Sequence, residues 1–232
     1  MMDDKIAYAI QNTEVLRRPK QTLSTFGTTT LHYYVLTQPA YRGIADDVAE
    51  TVIREGKIVA ERPRVVTPYY LMRLEGFSDS ARRYLESVIE EYGTHSPGIM
   101  YKYTNEHEGT SIVSEDIDSL VHKLNDRIDR EGNPLSAIIK GVDEMWDVSL
   151  MKFIYSLTED SVRNNIYDLG SRGLLDVDNS GVPLEARQWI EVLFHRVKEG
   201  EEDPSELKRE LDRWGLSHEY EDRFFDLFRR LR

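Results

Sequence analysis

Cysteine is absent from all 232 residues of this chain. This absence excludes thiol catalysis, cysteine-ligated zinc and iron–sulfur clusters. A chain of this length buries roughly 70 to 75 per cent of its unfolded surface, so a core forms without disulfides or metal. The sequence also lacks a run of about 18 apolar residues, which a membrane-spanning helix needs. The acidic N-terminus has no basic region followed by an apolar one, and we expect a soluble cytoplasmic protein.

Positive charge is also in short supply. Lys and Arg total 30 against 42 Asp and Glu, which gives a net charge of −12. This balance argues against duplex DNA as a partner, because DNA affinity comes mostly from cations that neutralise phosphates. Residues 1–73 hold 10 basic and 8 acidic side chains, whereas residues 114–232 hold 17 and 27. The distribution permits a local basic patch on the N-terminal half, and it also fits a solvated acidic surface on the C-terminal half.

The strongest apolar pattern runs from Asn133 to Leu157, where apolar residues recur at spacings of three and four. Asn133 is a suitable N-cap and Pro134 suits the first helical position. The pattern predicts a bent central helix, or two helices in close succession. The predicted fold class is α+β, with a mixed sheet-and-helix layer in residues 1–132. An all-helical half around the central helix follows in residues 133–232, and the two regions form either separate domains or one continuous domain.

Three elements are well marked in the N-terminal half. Thr29–Thr37 is rich in β-branched and aromatic residues and predicts a strand. Glu50–Arg62 predicts a β-hairpin, because Glu55-Gly56 lies between two β-rich runs and glycine accepts the positive φ of a tight turn. Ser78–Tyr92 predicts an amphipathic helix that ends at Gly93.

Tyrosine is concentrated in the same half, where ten of the thirteen precede residue 114. Tyrosine has a flat apolar body and a polar end, so it serves in wet interfaces and as a stacking surface for bases. Several cations lie nearby in sequence. The predicted binding residues are Tyr101, Tyr103, Arg17, Arg18, Arg62, Arg64 and His95. The alternative is that the rings are half-buried sheet residues and the cations are solvated or paired.

Catalytic signals are sparse. The six histidines show no H-x-x-x-H or HExxH spacing, and no serine lies in a nucleophile elbow. His95 and His107 lie in predicted loops, and Asp143 and Asp147 lie one helical turn apart. A small site for an anionic substrate therefore remains an alternative hypothesis. We predict no cofactor and no metal, and whether the chain is an enzyme is left undecided.

A polar segment follows the central helix. Asp176, Asp178 and Ser180 occupy the first, third and fifth places of an EF-hand calcium loop, with glycine at the sixth, but Arg187 stands where the loop needs a bidentate Glu. The surrounding stretch, IYDLGSRGLLDVDNSGVP, is similar to the passage from recognition helix to wing in winged-helix modules. That resemblance implies a DNA-facing helix whose cations are Arg163 and Arg172.

The chain closes with FFDLFRRLR, an apolar and basic helix end. This helix either docks on its own domain or forms the surface of a homodimer. Our leading hypothesis is a non-enzymatic interaction or regulatory protein, which binds a protein or single-stranded nucleic acid through a Tyr/Arg-rich N-terminal surface. The alternative is an enzyme or small-ligand binder that acts on an anionic, phosphorylated substrate.

Overall fold

A computed structural model describes residues 4–40, 49–74 and 78–230 of the chain. The described residues form seven strands and eight α-helices. The strands are β1 Glu14–Arg17, β2 Thr29–Thr37, β3 Thr51–Ala60, β4 Arg64–Val66, β5 Gly98–Met100, β6 Tyr103–Val113 and β7 Ser136–Lys140. The helices are α1 Asp4–Gln11, α2 Pro68–Leu71, α3 Asp79–Tyr92, α4 Ile117–Glu131, α5 Trp146–Ser171, α6 Leu184–Lys198, α7 Pro204–Trp214 and α8 Glu221–Arg230. The predicted α+β class is confirmed, and the C-terminal half is helical apart from β7.

The chain divides into two compact units, each made of two separate stretches. The first unit comprises Met1–Pro63 and Tyr101–Asn165, and the second comprises Arg64–Met100 and Ile166–Arg232. Residues on both sides of the predicted division at 132 and 133 therefore lie together in the first unit.

The first unit is a five-stranded mixed sheet in the order β1-β7-β2-β3-β6. Strands β2 and β7 are parallel, and the other neighbouring pairs are antiparallel. Helix α5 packs on one face of the sheet through Leu150, Phe153, Ile154 and Leu157. Helix α4 covers the other face through Ile117, Leu120, Leu124 and Ile128. The unit therefore has three layers, with one main helix on each side of the sheet.

The predicted central helix is wrong in its first half. Ser136–Lys140 is the strand β7, and α5 begins only at Trp146 after the short 3-10 helix Asp143–Met145. Strand β7 is buried because it lies between β1 and β2 with a helix on each face of the sheet. Such a strand reads as a continuous apolar run, which periodicity alone does not separate from a helix.

The predicted hairpin at Glu50–Arg62 is also wrong, since β3 runs straight through Gly56 and pairs with β2 and β6. Gly56 permits a close approach instead of a turn. A Cβ at this residue would lie 2.5 Å from the Tyr33 hydroxyl oxygen and 2.5 Å from the carbonyl oxygen of Glu106. The glycine thus lets the Tyr33 ring cross β3, next to a break in the register between β3 and β6. The strand predicted at Thr29–Thr37 is confirmed.

The second unit joins the antiparallel pair β4 and β5 to the helices α2, α3, α6, α7 and α8. Its core is formed mainly by α6 and α7, and the largest fully buried side chain is Trp214. Helix α7 begins at Pro204 behind an Asp203 N-cap and ends at Gly215, where φ is +71°. These local signals fix the ends of the helix, and its buried Leu207 and Leu211 fix the face that packs inward.

Candidate interaction surface

The predicted cations Arg17 and Arg18 are held by the helices of the first unit. The Arg17 guanidinium donates to Asn125 Oδ1 and Asp129 Oδ1, both at 2.7 Å, and its side chain is only 13% exposed. Arg18 pairs with Asp160 of α5 at 2.9 Å. Arg17 is the last residue of the edge strand β1 and Arg18 follows it, so both cations tie the edge of the sheet to its covering helices.

Tyr101 and Tyr103 lie together at the other edge of the sheet. Their rings stack with centroids 6.2 Å apart and an interplanar angle of 10°. Asn165 donates to the Tyr101 hydroxyl at 2.9 Å, the Tyr103 hydroxyl bonds to Thr158 at 2.5 Å, and burial raises the pKa of both phenols. Because neighbouring strands lie about 4.8 Å apart, the two sheet edges are separated by about 19 Å. The tyrosine pair therefore lies at the opposite edge of the sheet from Arg17 and Arg18.

The remaining predicted residues have other roles. Arg62 is half-buried at the end of the first stretch of the first unit. In the second unit, Arg64 forms a buried ion pair with Glu185 at 3.3 Å and Glu210 at 2.9 Å, and it stacks over an indole ring. His95 is exposed and its ring packs against the ring of Tyr69, with the ring centroids 5.8 Å apart.

Sequence reasoning missed a polar cluster at the carboxyl ends of the parallel strands, which we call the strand-end cluster: Thr37, Arg54, His107, Asp143 and Trp146. The Asp143 carboxylate accepts from the Thr37 hydroxyl at 2.7 Å and from the Arg54 guanidinium at 2.8 Å. Arg54 lies 5.5 Å from the centre of the Trp146 ring, and His107 lies 5.5 Å from the same ring. Burial opposes ionisation of Asp143, but its hydrogen bonds outweigh burial and hold the pKa of the carboxyl below its usual range.

This cluster occupies the place where open sheets with parallel strands commonly bind ligands, at the strand ends and before a helix N-terminus. Its carboxylate and guanidinium already satisfy each other, so the groups open to a ligand are the His107 and Trp146 rings. Asp147 does not join them, since it is exposed and accepts from the backbone of Val148. Among the described residues, no group of three or more acidic or histidine side chains is arranged to hold a metal ion.

The EF-hand-like segment is an ordinary turn. The Asp178 carboxylate accepts from the backbone of Ser180 at 2.8 Å and of Val182 at 3.0 Å. The Arg187 guanidinium, which stands at the twelfth place of the motif, pairs with the same carboxylate at 2.7 Å. The carboxylate therefore closes the loop onto the start of α6.

Helix α3 in the second unit is the one α-helix in the described part of the chain for which no side chain is found buried. Ser78 caps its first turn and Gly93 ends it at a φ of +91°. None of its described side chains is buried, although the helix has a clear apolar face. Tyr84 is 68% exposed and Tyr92 is 63% exposed. An isolated helix of this length is marginal in water, so α3 gains stability when its apolar face is covered.

The apolar face of α3 consists of Ala81, Tyr84, Val88, Ile89 and Tyr92. The other faces of the helix carry its charged residues, which are Asp79, Arg82, Arg83, Glu86, Glu90 and Glu91. The sequence revealed this amphipathic face but not its exposure, because a period of 3.6 does not show what covers a helix.

The C-terminal helix α8 differs from α3 because one of its described side chains is buried. Leu227 is only 9% exposed and Phe224 is partly buried against the helical core, whereas Phe225 is 55% exposed. Helix α8 therefore contacts the core of its own unit through Leu227 and Phe224.

Comparison with known protein families, curated proteins and solved structures finds no match to this chain. Within the described ranges, no helix is both long enough and apolar enough to cross a membrane.

Proposed function

We propose that this protein is a non-enzymatic interaction protein that binds a protein partner through the apolar face of α3, which carries Tyr84 and Tyr92. The proposal depends on one observation: α3 is an amphipathic helix of 14 residues, and none of its side chains that the structure describes is buried. Two largely exposed tyrosines on one such face are typical of a binding surface, because tyrosine is enriched at interfaces and buries a large area.

The charge of α3 favours a protein over a nucleic acid. The helix carries Asp79, Glu86, Glu90 and Glu91 against Arg82 and Arg83, so its net charge is 2 − 4 = −2. A nucleic-acid site needs an excess of cations to neutralise phosphates, whereas an amphipathic helix suits a protein groove or another helix.

Site-specific photo-cross-linking tests this role. A photoreactive amino acid replaces Tyr84 on the apolar face in one variant and Ser87 on the outer face in a control variant. After RNase treatment, we expect mass spectrometry to find a discrete protein adduct with the first variant and little with the control. Equal labelling from both positions, or no adduct from either, would refute the proposal.

A second function is supported by the strand-end cluster, which offers exposed His107 beside Trp146 and Arg54. Here the chain would bind a small anionic ligand, such as a phosphorylated one, with the Trp146 ring as the platform and the His107 ring as a hydrogen-bond donor. Titration with inorganic phosphate and with a nucleoside monophosphate tests it through tryptophan fluorescence, with Trp146→Phe as the control. Signals that persist in that variant, or no saturable signal, would refute this second function.

Two further expectations from the sequence stay predictions. One of them is the cytoplasmic location. The exposed Phe225 of α8 keeps a homodimer through the C-terminal helix as an alternative interface.

A further inference from the structure

We propose that the outer edge of β6 binds an extended segment of a partner protein, in which apolar residues alternate with lysine or arginine. The segment pairs with Tyr103–His107 and adds a sixth strand to the sheet of the first unit. This surface is separate from α3, so the inference does not depend on the role proposed for that helix.

The backbone of β6 is paired on one side. The strand is the last in the sheet order, and within the described ranges no strand pairs with its outer side. Alternate residues of such an edge strand direct their N–H and C=O groups outward, and these groups form the hydrogen bonds of an added strand. The pairing of β6 with β3 skips Glu108, so a β-bulge ends the regular run at His107.

Helix α5 lies along this run on one face of the sheet, which we call the α5 side. The Tyr103 hydroxyl bonds to the Thr158 hydroxyl at 2.5 Å. At the other end of the run, the His107 and Trp146 rings lie 5.5 Å apart. The start of α5 is therefore near the end of the run, and the helix passes back along it.

The flank of α5 that faces β6 carries exposed apolar side chains. With 3.6 residues per turn, Met151 lies only about 20° from Thr158 around the helix. Met151 is 63% exposed, and Tyr155, one turn further on, is 65% exposed. A strand added beside β6 would point every second side chain to this side, where an apolar residue would cover Met151.

The opposite side of the same edge is acidic. Tyr103 and His107 point to the α5 side, so Glu106 points to the other side. Glu106 lies opposite Lys57 of β3, and Lys57 forms its ion pair with Glu108 at 2.5 Å. These three side chains have a net charge of 1 − 2 = −1, and β6 itself contains no Lys or Arg. A lysine or arginine opposite Glu106 would supply the missing cation.

The two sides together specify the alternation of the bound segment. Successive side chains of a strand point to opposite faces, so apolar residues meet the α5 flank and the residues between them meet Glu106. A second copy of β6 is a poorer occupant, because it would bring further glutamates to an edge that already carries them.

Fluorescence anisotropy with the full chain tests this edge. The probe is a labelled peptide of seven residues in which four lysines alternate with three valines. We expect saturable binding with a Kd on the order of 100 µM, because so short a strand forms a small interface. The control peptide has four lysines followed by three valines, and its Kd should be at least about fivefold higher. Equal binding of the two peptides would overturn the inference, because net charge alone would then explain it.

Charge reversal on the protein tests the acidic side. Glu106→Lys should raise the Kd of the alternating peptide at least about fivefold. Asp126→Lys is the matched control, since it reverses one exposed charge on α4 in the same unit, and it should leave the Kd within about twofold. Circular dichroism checks that both variants keep the native fold. Equal weakening by both variants would place the peptide elsewhere and refute the inference.

Hydrogen–deuterium exchange locates the bound peptide. We expect slower amide exchange at Tyr103–His107 and unchanged exchange in α3. Protection of α3 without protection of β6 would overturn this inference and leave the role proposed for α3 intact. A concentration-dependent dimer that the alternating peptide dissociates would assign the edge to a second copy of the chain, and it would also overturn the inference.

Discussion

Removal of the Glu210 side chain tests whether a buried polar network stabilises the second unit. The Glu210 carboxylate is 8% exposed and accepts three hydrogen bonds: from Arg64 at 2.9 Å, from Tyr70 at 3.2 Å and from Trp214 at 3.2 Å. Arg64 also pairs with Glu185, which is 1% exposed. The network joins β4, α2, α6 and α7, so its loss affects the whole helical core.

The expected cost follows from what Glu210→Ala leaves behind. The variant deprives the buried Arg64 cation of its shorter carboxylate contact and leaves the Trp214 N–H without its acceptor. Breaking a buried ion pair from one side costs about 3–5 kcal/mol. We expect a loss of unfolding free energy in that range for the alanine variant. Glu210→Gln keeps the volume and one acceptor oxygen, so it should cost about 1–3 kcal/mol.

Urea unfolding, monitored by tryptophan fluorescence, measures the loss of unfolding free energy, because Trp214 and Trp189 both contact the network. Glu206→Ala is the matched control, since Glu206 lies on the same helix and forms an exposed pair with Arg209. An exposed pair contributes less than about 1 kcal/mol. If Glu210→Ala costs no more than Glu206→Ala, the network does not stabilise this unit and the reasoning is refuted.

Two further predictions concern the first unit. Gly56→Ala should lower the unfolding free energy by about 1–3 kcal/mol, because the added Cβ would meet Tyr33 and a backbone carbonyl. Gly109→Ala is the control, since its Cβ would have only one contact, at 3.9 Å, and thermal stability should change little. Equal effects of the two substitutions would contradict this prediction. The lowered pKa of Asp143 adds stability above the unfolded-state pKa of about 3.9, and this contribution is lost as the pH falls through the folded-state pKa. The stability difference between wild type and Asp143→Asn should therefore be largest near neutral pH and shrink in acid, and a difference constant with pH would count against the Arg54 pairing.

Local chemistry explains why some elements were predictable. The strand Thr29–Thr37 and the helix α3 were confirmed because β-branched residues, a serine cap and a terminal glycine act within a few residues. The hairpin around Gly56 failed because a glycine that permits a turn also permits close approach of a ring. Only the position of Tyr33 on the neighbouring strand separates these two uses.

The predicted binding residues illustrate the same limit. Arg17 and Tyr103 are close to aromatic and basic neighbours in sequence, but sheet order places them at opposite edges. The strand-end cluster was missed because its first and last members, Thr37 and Trp146, are more than 100 residues apart in sequence. Asp143 pairs with Arg54 because β7 lies beside β2 in the sheet.

The sequence by itself determined the α+β class, the shortage of cations, the absence of thiol chemistry and the ends of helices such as α3 and α7, because these depend on composition and on local hydrogen bonding. Tertiary structure alone decided that Ser136–Lys140 is a strand, since burial on both faces outweighs its helical periodicity. It also decided which apolar faces are covered. The sequence marks α3 and α8 alike as amphipathic, and only the packing of the second unit buries Leu227 of α8 while it buries none of the described side chains of α3.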